Sequence, residues 1–329
     1  MHPAARRALD TALANRRMSR PEANPLAGED VPLEDLLSAA DALLRERFGS
    51  EAGLCSIANA RNGNCPEDCR FCAQSAHATA RIESYGLMDP APVVRAAREA
   101  RDAGASCFGV VISGRGPTPR DLPALCGIFS ALRDEVPGIR RAGSLGILDE
   151  AAARRLAAAG MEVGHHNLET SRRFFPEVCT THGYDERLET LHAMKRANLA
   201  ICTGALFGLG EAWADRLDLL FEIRALEPDS VPLNFLHPIP GTPLENRTPM
   251  PPSEILRAIA VARLVLPDAA IRVCGGRERS LGDLQPGIFR AGANGMMIGN
   301  YLTTRGRPVA EDMKMLNDLS LIPEPYRND

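Results

Sequence analysis

The sequence predicts an α/β fold, a single (β/α)8 barrel of the TIM type with a helical N-terminal lead-in. Short apolar or β-branched runs alternate with Ala-, Leu- and Arg-rich stretches of helical period over the 329 residues, as expected for repeated βα units around a parallel sheet. Eight such units can be counted, and no Pro- or Ser-rich linker separates two halves of the chain. A doubly wound parallel sheet is the alternative for the same alternation.

We assign residues 1–50 to the lead-in, 51–318 to the barrel and 319–329 to a C-terminal tail. The predicted strands are Leu54–Ala60, Ser106–Ser113, Arg140–Leu145, Met161–Glu169, Ala200–Phe207, Ser230–His237, Ala270–Gly275 and Gly295–Gly299. The clearest predicted helices are Leu122–Asp134, Glu150–Ala159, Tyr184–Ala197 and Pro252–Leu264. Barrels of this kind carry their chemistry at the carboxyl ends of the strands, so functional residues are expected there.

The composition excludes several classes of protein. Thirty-eight Lys and Arg against 42 Asp and Glu give a net charge of -4, which is too balanced for a surface that coats nucleic acid. No run approaches the roughly 18 apolar residues of a membrane span. The Arg-rich start lacks the apolar run of a signal peptide. We therefore expect a loosely attached leading helix and a cytoplasmic protein, with an organellar transit peptide as the alternative.

The cysteines are the most informative residues. The chain has nine of them, an odd number that favours metal or redox use over a disulfide framework. Cys65, Cys69 and Cys72 form a C-x3-C-x2-C motif in the loop after the first predicted strand. Three thiolates in this spacing can bind three irons of a 4Fe-4S cluster and leave the fourth iron open. Zinc is the alternative, but a closed zinc site needs four protein ligands, and His77 is a poor fourth.

The motif and its place in the barrel resemble the radical S-adenosylmethionine superfamily, in which the amino and carboxylate groups of that cofactor chelate the open iron. The resemblance implies reductive cleavage of the cofactor to methionine and a 5'-deoxyadenosyl radical. The segment Gly204–Glu211 is similar to the glycine-rich segment that lies against the adenine in these enzymes, with Gly208 and Gly210 as cofactor contacts. Glycines allow a backbone to approach a flat ligand closely, although an ordinary tight turn has the same pattern.

Within that superfamily the chain resembles the biotin synthase family, from about Leu54 to Thr304. Besides the cluster loop, the segments that carry the resemblance are His166–Thr170, Val231–Pro243, Gly275–Glu278 and Gly299–Thr304. The resemblance implies a sulfurtransferase that inserts sulfur between two unactivated carbons of dethiobiotin, with one adenosyl radical consumed for each hydrogen removed. It also implies a homodimer, and reduction by flavodoxin or ferredoxin.

Polar residues near the strand ends are the candidate ligand contacts. On the fourth predicted strand, His165, Asn167 and Glu169 share one face because side chains alternate with period two, and we expect that face in the lumen. The resemblance assigns Asn167 to the ribose and the substrate, Glu169 to the ribose hydroxyls and His182 to the cofactor's carboxylate. It assigns Asn234 to the ureido ring of dethiobiotin, for which an amide offers both donors and an acceptor. The alternative for each is a structural group satisfied by its neighbours.

The resemblance also implies an auxiliary iron-sulfur cluster whose sulfide is the sulfur donor. The family usually holds it with cysteines on the second, third and fifth strands and an arginine on the seventh, and Cys107, Cys202 and Arg272 match three of these positions. Ala142 stands at the third-strand position and cannot bind iron. Cys274 lies two residues beyond Arg272, on the same face of its strand, so we expect the thiolate to have moved there. The cluster is then 2Fe-2S or a larger variant, with Arg272 as ligand or neighbouring charge. The alternative is a buried Cys274 and no auxiliary cluster.

Three thiols have no partner at ligand spacing. A buried hydrophobic thiol is the default for Cys55 and Cys126, and Cys179 is open between that role and a position facing the lumen. Two rival functions remain for the whole chain: a radical enzyme for another small metabolite, and a non-catalytic iron-sulfur carrier. The cofactor pocket favours an enzyme over a carrier, and the pair Cys107 and Cys202 favours sulfur insertion over another radical reaction.

Overall fold

A computed structural model of the chain describes residues 1–327, and its main feature is a parallel β-barrel wrapped by helices. The strands are β1 (Glu51–Arg61), β2 (Cys107–Ile112), β3 (Arg140–Ser144), β4 (Val163–His165), β5 (Ala200–Cys202), β6 (Ala205–Phe207), β7 (Ser230–Phe235), β8 (Ala270–Val273), β9 (Gly295–Met297) and β10 (Ile322–Pro323). The α-helices are α1 (Pro3–Leu13), α2 (Arg20–Ala23), α3 (Leu33–Phe48), α4 (Pro90–Asp102), α5 (Asp121–Glu135), α6 (Glu150–Ala159), α7 (Tyr184–Arg196), α8 (Trp213–Ala225), α9 (Pro252–Val265), α10 (Arg277–Leu281), α11 (Gly287–Arg290) and α12 (Val309–Asp318). Single 3₁₀ turns cover Asn24–Ala27, Phe175–Glu177 and Gly282–Leu284.

Pairing between the first and last strands of the ring closes the barrel. β1 pairs in parallel with β2 on one side and with β9 on the other, where Gly53 lies opposite Gly295. The ring has 8 parallel positions, one of them shared by β5 and β6, which both pair with β7. This closure confirms the predicted (β/α)8 barrel and excludes the doubly wound sheet, which has open edges.

The fifth predicted strand, 200–207, is interrupted in the structure. Gly204 lies at the break between β5 and β6, where a Cβ would stand 1.9 Å from the carbonyl oxygen of Pro232. Only a residue without a side chain allows two backbones to approach so closely. The interruption therefore follows from the packing of this strand against β7.

The two faces of the barrel strands differ in side-chain size. Phe108 and Val110 of β2 are fully buried in the aliphatic core between the sheet and the helices. Cys107 and Gly109 of the same strand line the lumen. Small side chains on the inner face leave a cavity of about 750 Å³, in a place that branched side chains fill in many barrels of this type.

The lead-in packs firmly against the barrel. α3 begins with Glu34 and Asp35 and ends with Arg45 and Arg47, charges that suit the two ends of the helix dipole. Its apolar face, which includes the fully buried Leu43, lies against α9. The leading helix α1 also buries one side, so it is present as expected but is not loosely attached. None of the helices within residues 1–327 is long and apolar enough to cross a membrane.

The C-terminal segment returns to the beginning of the barrel. β10 pairs in parallel with the first residues of β1, with Glu51 opposite Ile322 and Ala52 opposite Pro323. The amino ends of parallel strands form the base of such a barrel, on the side away from the loops that carry chemistry. The tail therefore lies across the base.

Candidate active site

One deep cavity follows the barrel axis. Its mouth lies at the carboxyl ends of the strands, where Tyr301 and Thr303–Arg305 form part of the wall. Its floor lies at the base of the barrel, beside Glu324. The volume of about 750 Å³ falls within the roughly 300–1,000 Å³ that is usual for small-molecule sites.

The three motif cysteines lie on the long loop between β1 and α4. The loop begins with a tight turn in which Gly63 has φ +77°, a conformation that glycine adopts readily. Backbone hydrogen bonds then fold the loop on itself: the Cys65 N–H donates to Gln74 O at 3.0 Å, and Cys65 O accepts from the Ala76 N–H at 2.8 Å. Cys72 lies on the wall of the central cavity. The motif thus forms a compact loop that opens on the cavity.

At least two of the three sulfur atoms of this loop lie more than 4.8 Å apart. Within residues 1–327, the set of three metal-binding side chains whose ligand atoms all lie within 4.8 Å of one another is Cys69, Cys179 and His182, so Cys65, Cys69 and Cys72 are spread more widely. Zinc ligands at the usual Zn–S distance stand about 3.8 Å apart. The spacing of the loop cysteines fits a polynuclear cluster better than zinc.

Two acidic residues between the motif cysteines fasten the loop to the segment after β4. Asp68 accepts hydrogen bonds from the Thr180 N–H at 2.8 Å and the Thr181 N–H at 3.2 Å, and Thr181 Oγ1 donates to Glu67 Oε2 at 2.6 Å. Burial alone would raise the pKa of Asp68, but the bonds from Thr180 and Thr181 outweigh burial and hold that pKa below its usual value. The contact between these two loops, which we call the loop clamp (Glu67, Asp68, Thr180 and Thr181), therefore includes a charged hydrogen-bond acceptor.

His182 supports the same contact through both of its ring nitrogens. Arg187 Nε donates to His182 Nε2 at 3.1 Å, and His182 Nδ1 is bonded to the carboxylate of Glu67. Because Nε2 accepts, the ring proton lies on Nδ1 and is donated to Glu67. Both ring nitrogens are occupied by protein groups, so the structure does not leave His182 available for the cofactor's carboxylate.

Cys179 lies beside the cluster loop and not in the lumen. Its Sγ stands 3.2 Å from Asp68 Oδ1 and 3.3 Å from His182 Nδ1, and the side chain is buried. The set that it forms with Cys69 and His182 has the compact spacing of a single-ion site, but Cys179 and His182 already bond to the acidic residues of the loop clamp. Sequence spacing could not place Cys179, because the contact joins two loops that are distant in the chain.

Asn167 and Glu169 line the cavity beyond the end of β4. The predicted strand 161–169 is regular only over Val163–His165, with an isolated parallel bridge between Glu169 and Ala205 beyond it. His165, Asn167 and Glu169 all line the lumen. Glu169 has φ +67°, and its burial raises its pKa. Asn167 Nδ2 donates to Glu169 Oε2 at 3.4 Å, whereas Asn167 Oδ1 is buried and has no hydrogen-bond partner among residues 1–327. An unsatisfied acceptor beside a carboxylate fits a ligand with hydroxyl groups, such as a ribose.

Gly208 and Gly210, the expected cofactor contacts, lie in a tight turn and are not among the residues that line the cavity. Both have positive φ, 91° and 117°, and their N–H groups donate to the carboxylate of Glu211 at 2.9 and 3.0 Å. A Cβ at Gly210 would stand 2.5 Å from the guanidinium of Arg247. The turn and its close neighbours therefore require the glycines. Leu206 is the residue of this segment that lines the cavity.

Asn234 on β7 has a fixed orientation at the cavity wall. Its Nδ2 donates to Ala205 O at 3.1 Å, and its Oδ1 accepts from the Gly275 N–H at 2.9 Å. Each end of an amide has one more hydrogen-bonding position than these two bonds use. The side chain is thus held from two sides and can still bind a group of complementary polarity in the cavity.

Four thiols and one arginine surround the lower part of the cavity. Cys55 lies opposite Cys107 in the pairing of β1 with β2, and Cys202, Cys274 and Arg272 line the same cavity. Sequence reasoning missed Cys55, because its closeness to Cys107 follows from a strand register that the sequence does not reveal. The structure brings the other four together, as expected.

The protonation of these thiols depends on their burial and on each other. Burial raises the pKa of Cys107 to about 12 and that of Cys202 to about 11. The neighbouring Cys274 thiol and the charge of Arg272 lower the pKa of Cys55 below its usual value. Soft sulfur donors that lose their protons to a metal, grouped beside a fixed cation, suit an iron-sulfur cluster. The donor set of the lower cavity therefore fits a cluster.

Two further residues complete the wall of this lower site. His165 Nδ1 lies 3.1 Å from Cys202 Sγ, a contact that the face alternation of the sequence did not reveal. Ala142 also lines the cavity and offers no donor atom. The third strand therefore contributes no metal-binding side chain at this position.

Family models and curated relatives indicate the protein family to which the chain belongs. The Radical SAM superfamily model matches residues 61–223, and the model of the Biotin and Thiamin Synthesis associated domain matches residues 232–322. A biotin synthase of Heliobacterium modesticaldum is 52% identical over 279 residues, which cover 84% of this chain and 85% of that protein. A biotin synthase of Geobacter sulfurreducens is 47% identical over 317 residues, 94% of this chain and 96% of that protein.

Solved structures agree on the fold. Methylornithine synthase superposes with a TM-score of 0.82 at 19% identity and covers 96% of this chain and 97% of that chain. The FeFe-hydrogenase maturase of Carboxydothermus hydrogenoformans gives a TM-score of 0.83 at 19% identity over 97% of this chain and 79% of that chain. These two likenesses concern the fold alone. The much higher identity to the curated relatives, over nearly their whole length, shows that this chain belongs to the biotin synthase family of radical S-adenosylmethionine enzymes.

Proposed function

We propose that the chain inserts sulfur into dethiobiotin to form biotin, with iron-sulfur sites at the two ends of one cavity. One observation carries this proposal: Cys72 lies on the wall near the mouth, and Cys55, Cys107, Cys202 and Cys274 surround the lower part. A substrate between them lies next to both sites. A non-catalytic carrier has no use for such a chamber, and a radical enzyme that transfers no sulfur has no use for the lower thiols.

Cys65, Cys69 and Cys72 are the proposed ligands of the 4Fe-4S cluster, with S-adenosylmethionine beside it. When bound, these groups supply an adenosyl radical that removes hydrogen atoms from the substrate, and an auxiliary iron-sulfur cluster supplies the sulfur. The chain's own residues orient the reactants. Asn167 offers its unsatisfied oxygen, and Glu169 its carboxylate, to hydroxyl groups of the cofactor's ribose.

The substrate is proposed to lie along the cavity axis. Asn234, whose amide is already oriented by Ala205 and Gly275, offers a donor and an acceptor to the ureido ring, with Asn167 nearby on the wall. At the mouth, the cation of Arg305 lines the cavity and suits the carboxylate at the other end of dethiobiotin. This orientation places the ring end of the substrate toward the lower thiols.

The proposed auxiliary ligands are Cys107, Cys202 and Cys274, and we add Cys55. Arg272 serves as a ligand or as the neighbouring positive charge. Four thiols around the same part of the cavity can hold a 2Fe-2S cluster or a larger variant. The support for Cys55 is its position opposite Cys107 and its place in the same cavity wall as Cys274.

The proposal has three further parts. The electron donor is flavodoxin or ferredoxin, the protein is a homodimer, and it is located in the cytoplasm. The first two rest on the resemblance to the family. The location is supported by the thiols, because all nine cysteines are free and free thiols are typical of reducing compartments. Light scattering of the purified holoprotein tests whether it is a dimer. The electron donor is tested by measuring reduction of the cluster by flavodoxin and by ferredoxin in separate reactions.

Anaerobic incubation of the reconstituted, reduced protein with S-adenosylmethionine and dethiobiotin tests the function. We expect 5'-deoxyadenosine and biotin to form together, with biotin limited by the sulfide of the auxiliary site. 5'-Deoxyadenosine without biotin would indicate a radical enzyme for another metabolite. Iron and sulfide without either product would indicate a carrier.

A further inference from the structure

The floor of the cavity is formed by the C-terminal segment. The Ile322 N–H donates to Ser50 O at 2.9 Å, and the Glu324 N–H donates to Ala52 O at 2.9 Å. These bonds fix the backbone of β10 along the start of β1, and the side chain of Glu324 then lines the same cavity as the four lower thiols. The tail thus contributes a carboxylate to the base of the proposed auxiliary site.

This carboxylate lies next to Arg272. Glu324 Oε2 stands 3.8 Å from Arg272 Nη2, and the two side chains are 35% and 15% exposed. Arg272 Nε is buried and has no hydrogen-bond partner in the described part of the chain. The arginine therefore has Glu324 on the solvent side and the thiols on the other.

Two glycines make room for this pair. A Cβ at Gly53 would stand 2.7 Å from Glu324 Oε2 and 3.2 Å from Arg272 Nε, and a Cβ at Gly295 would stand 3.0 Å from Arg272 Cγ. Both glycines lie where β1 pairs with β9. A side chain at Gly53 would displace the carboxylate or the guanidinium, whereas one at Gly295 would first meet Gly53 O, at 2.3 Å, and then the aliphatic part of Arg272.

We infer that Glu324 is a positioning residue that holds Arg272 toward the auxiliary-site thiols and closes the floor of the cavity against solvent. The inference rests on the proposed function, because it concerns the same thiols. A guanidinium between a carboxylate and several thiolates has charge partners on both sides. Without the carboxylate, Arg272 can turn toward the water at the base, and the lower site loses both its cation and its cover.

The test uses the full chain with Cys65→Ala, Cys69→Ala and Cys72→Ala, so that bound iron reports on the lower site alone. Glu324→Gln removes the charge and keeps the shape, and Glu324→Ala removes both. Glu99→Gln, an exposed position on α4, is the matched control. The measurement is the rate at which a ferrous chelator removes iron from the anaerobic protein after reduction with dithionite, followed by absorbance.

We expect both Glu324 variants to lose iron roughly fivefold faster or more, the factor that corresponds to about 1 kcal/mol, with Glu324→Ala the faster. Thermal unfolding of each variant checks that the barrel is intact. Rates equal to the Glu99→Gln control would overturn the inference.

A second measurement separates this inference from the proposed ligand set. If the parent protein holds no iron, the ligand assignment fails, and alkylation of Cys107 in the cluster-free protein decides the role of Glu324. With dethiobiotin present to fill the upper cavity, Glu324→Ala should then increase the alkylation rate severalfold, measured by peptide mass spectrometry with Cys126 as internal reference. An unchanged rate would overturn the closure of the floor by Glu324.

Discussion

The two cysteine sites of this barrel are built in opposite ways. The loop site takes its three cysteines from the single segment 65–72, and the loop clamp holds that segment against the loop after β4. The lower site takes its thiols from four different strands or strand ends, which are spread along the chain from Cys55 to Cys274. Only the register of the strands brings these thiols together. A local change can therefore destroy the first site and leave the second, whereas the second depends on closure of the whole barrel.

The largest expected effect separates the two sites completely. Cys65→Ala, Cys69→Ala and Cys72→Ala should each reduce 5'-deoxyadenosine formation to the detection limit, because each removes a proposed ligand of the loop cluster. Iron in the lower site should be retained, since its ligands are on other elements. Cys126→Ala on α5 is the control and should behave as the unchanged protein. Unchanged 5'-deoxyadenosine formation in any loop variant would refute that ligand assignment.

Replacement of the lower thiols should abolish biotin formation and preserve cleavage of S-adenosylmethionine. Cys107→Ala, Cys202→Ala, Cys274→Ser and Cys55→Ser should each lower the iron and sulfide that remain in a protein without the loop cysteines. In the otherwise unchanged protein they should abolish biotin and leave 5'-deoxyadenosine. Full retention of the lower iron in Cys274→Ser would show that the ligand has not moved to the seventh strand of the ring. Retention in Cys55→Ser alone would remove only that residue from the ligand set.

A smaller effect is expected between the two sites, where the substrate lies. Asn234→Ala removes a half-buried hydrogen-bonding group, which costs about 1–3 kcal/mol and corresponds to a loss of roughly 5- to 150-fold in kcat/KM for dethiobiotin. Slow cofactor cleavage without biotin should persist, because both sets of cysteines are intact. Steady-state assays of both products measure the ratio, with the exposed Asn317→Ala as control. Full biotin formation in Asn234→Ala would exclude the residue from substrate binding.

The smallest expected effect concerns the stability of the loop clamp. Asp68→Asn weakens the bonds to Thr180 and Thr181 and should lower Tm by a few degrees at neutral pH. The pKa of Asp68 is lower in the folded protein than its usual value, so its contribution is present above about pH 4 and is lost as the pH falls through the lower folded value. The difference in Tm between the two proteins should therefore shrink on acidification. Asp30→Asn, an exposed position, is the control, and a pH-independent difference would contradict this account.

The difference between the two cysteine sites also explains which site residues could be predicted from the sequence alone. The spacing of Cys65, Cys69 and Cys72 is a local property, so the sequence was sufficient to predict the loop site and the strand from which it starts. Cys274 could be placed on the same face as Arg272 because period-two alternation is equally local. Cys55 was missed because only the pairing of β1 with β2 brings it to Cys107.

Hydrogen bonds within the protein are the part of the site that motifs do not reveal. His182 and Gly208 were assigned to the cofactor by their place in motifs, but protein neighbours occupy both ring nitrogens of His182 and the N–H of Gly208. A motif shows which residue types stand near a site, and it does not show which of them are already satisfied by the protein. The break in the fifth predicted strand has the same origin, since the approach of Pro232 to Gly204 is a contact between distant parts of the chain.

The loop clamp has a consequence for the life of the protein in the presence of oxygen. Iron-sulfur clusters with an open iron are readily damaged by oxidants, and a loop shaped only by its metal would collapse when the metal is lost. Here Asp68 and Glu67 tie the loop to Thr180 and Thr181 through protein atoms, and Ser75 Oγ donates to Glu67 O at 2.6 Å within the loop. Part of the loop's shape is therefore set by hydrogen bonds that do not involve iron, which favours refilling of a damaged molecule over its replacement.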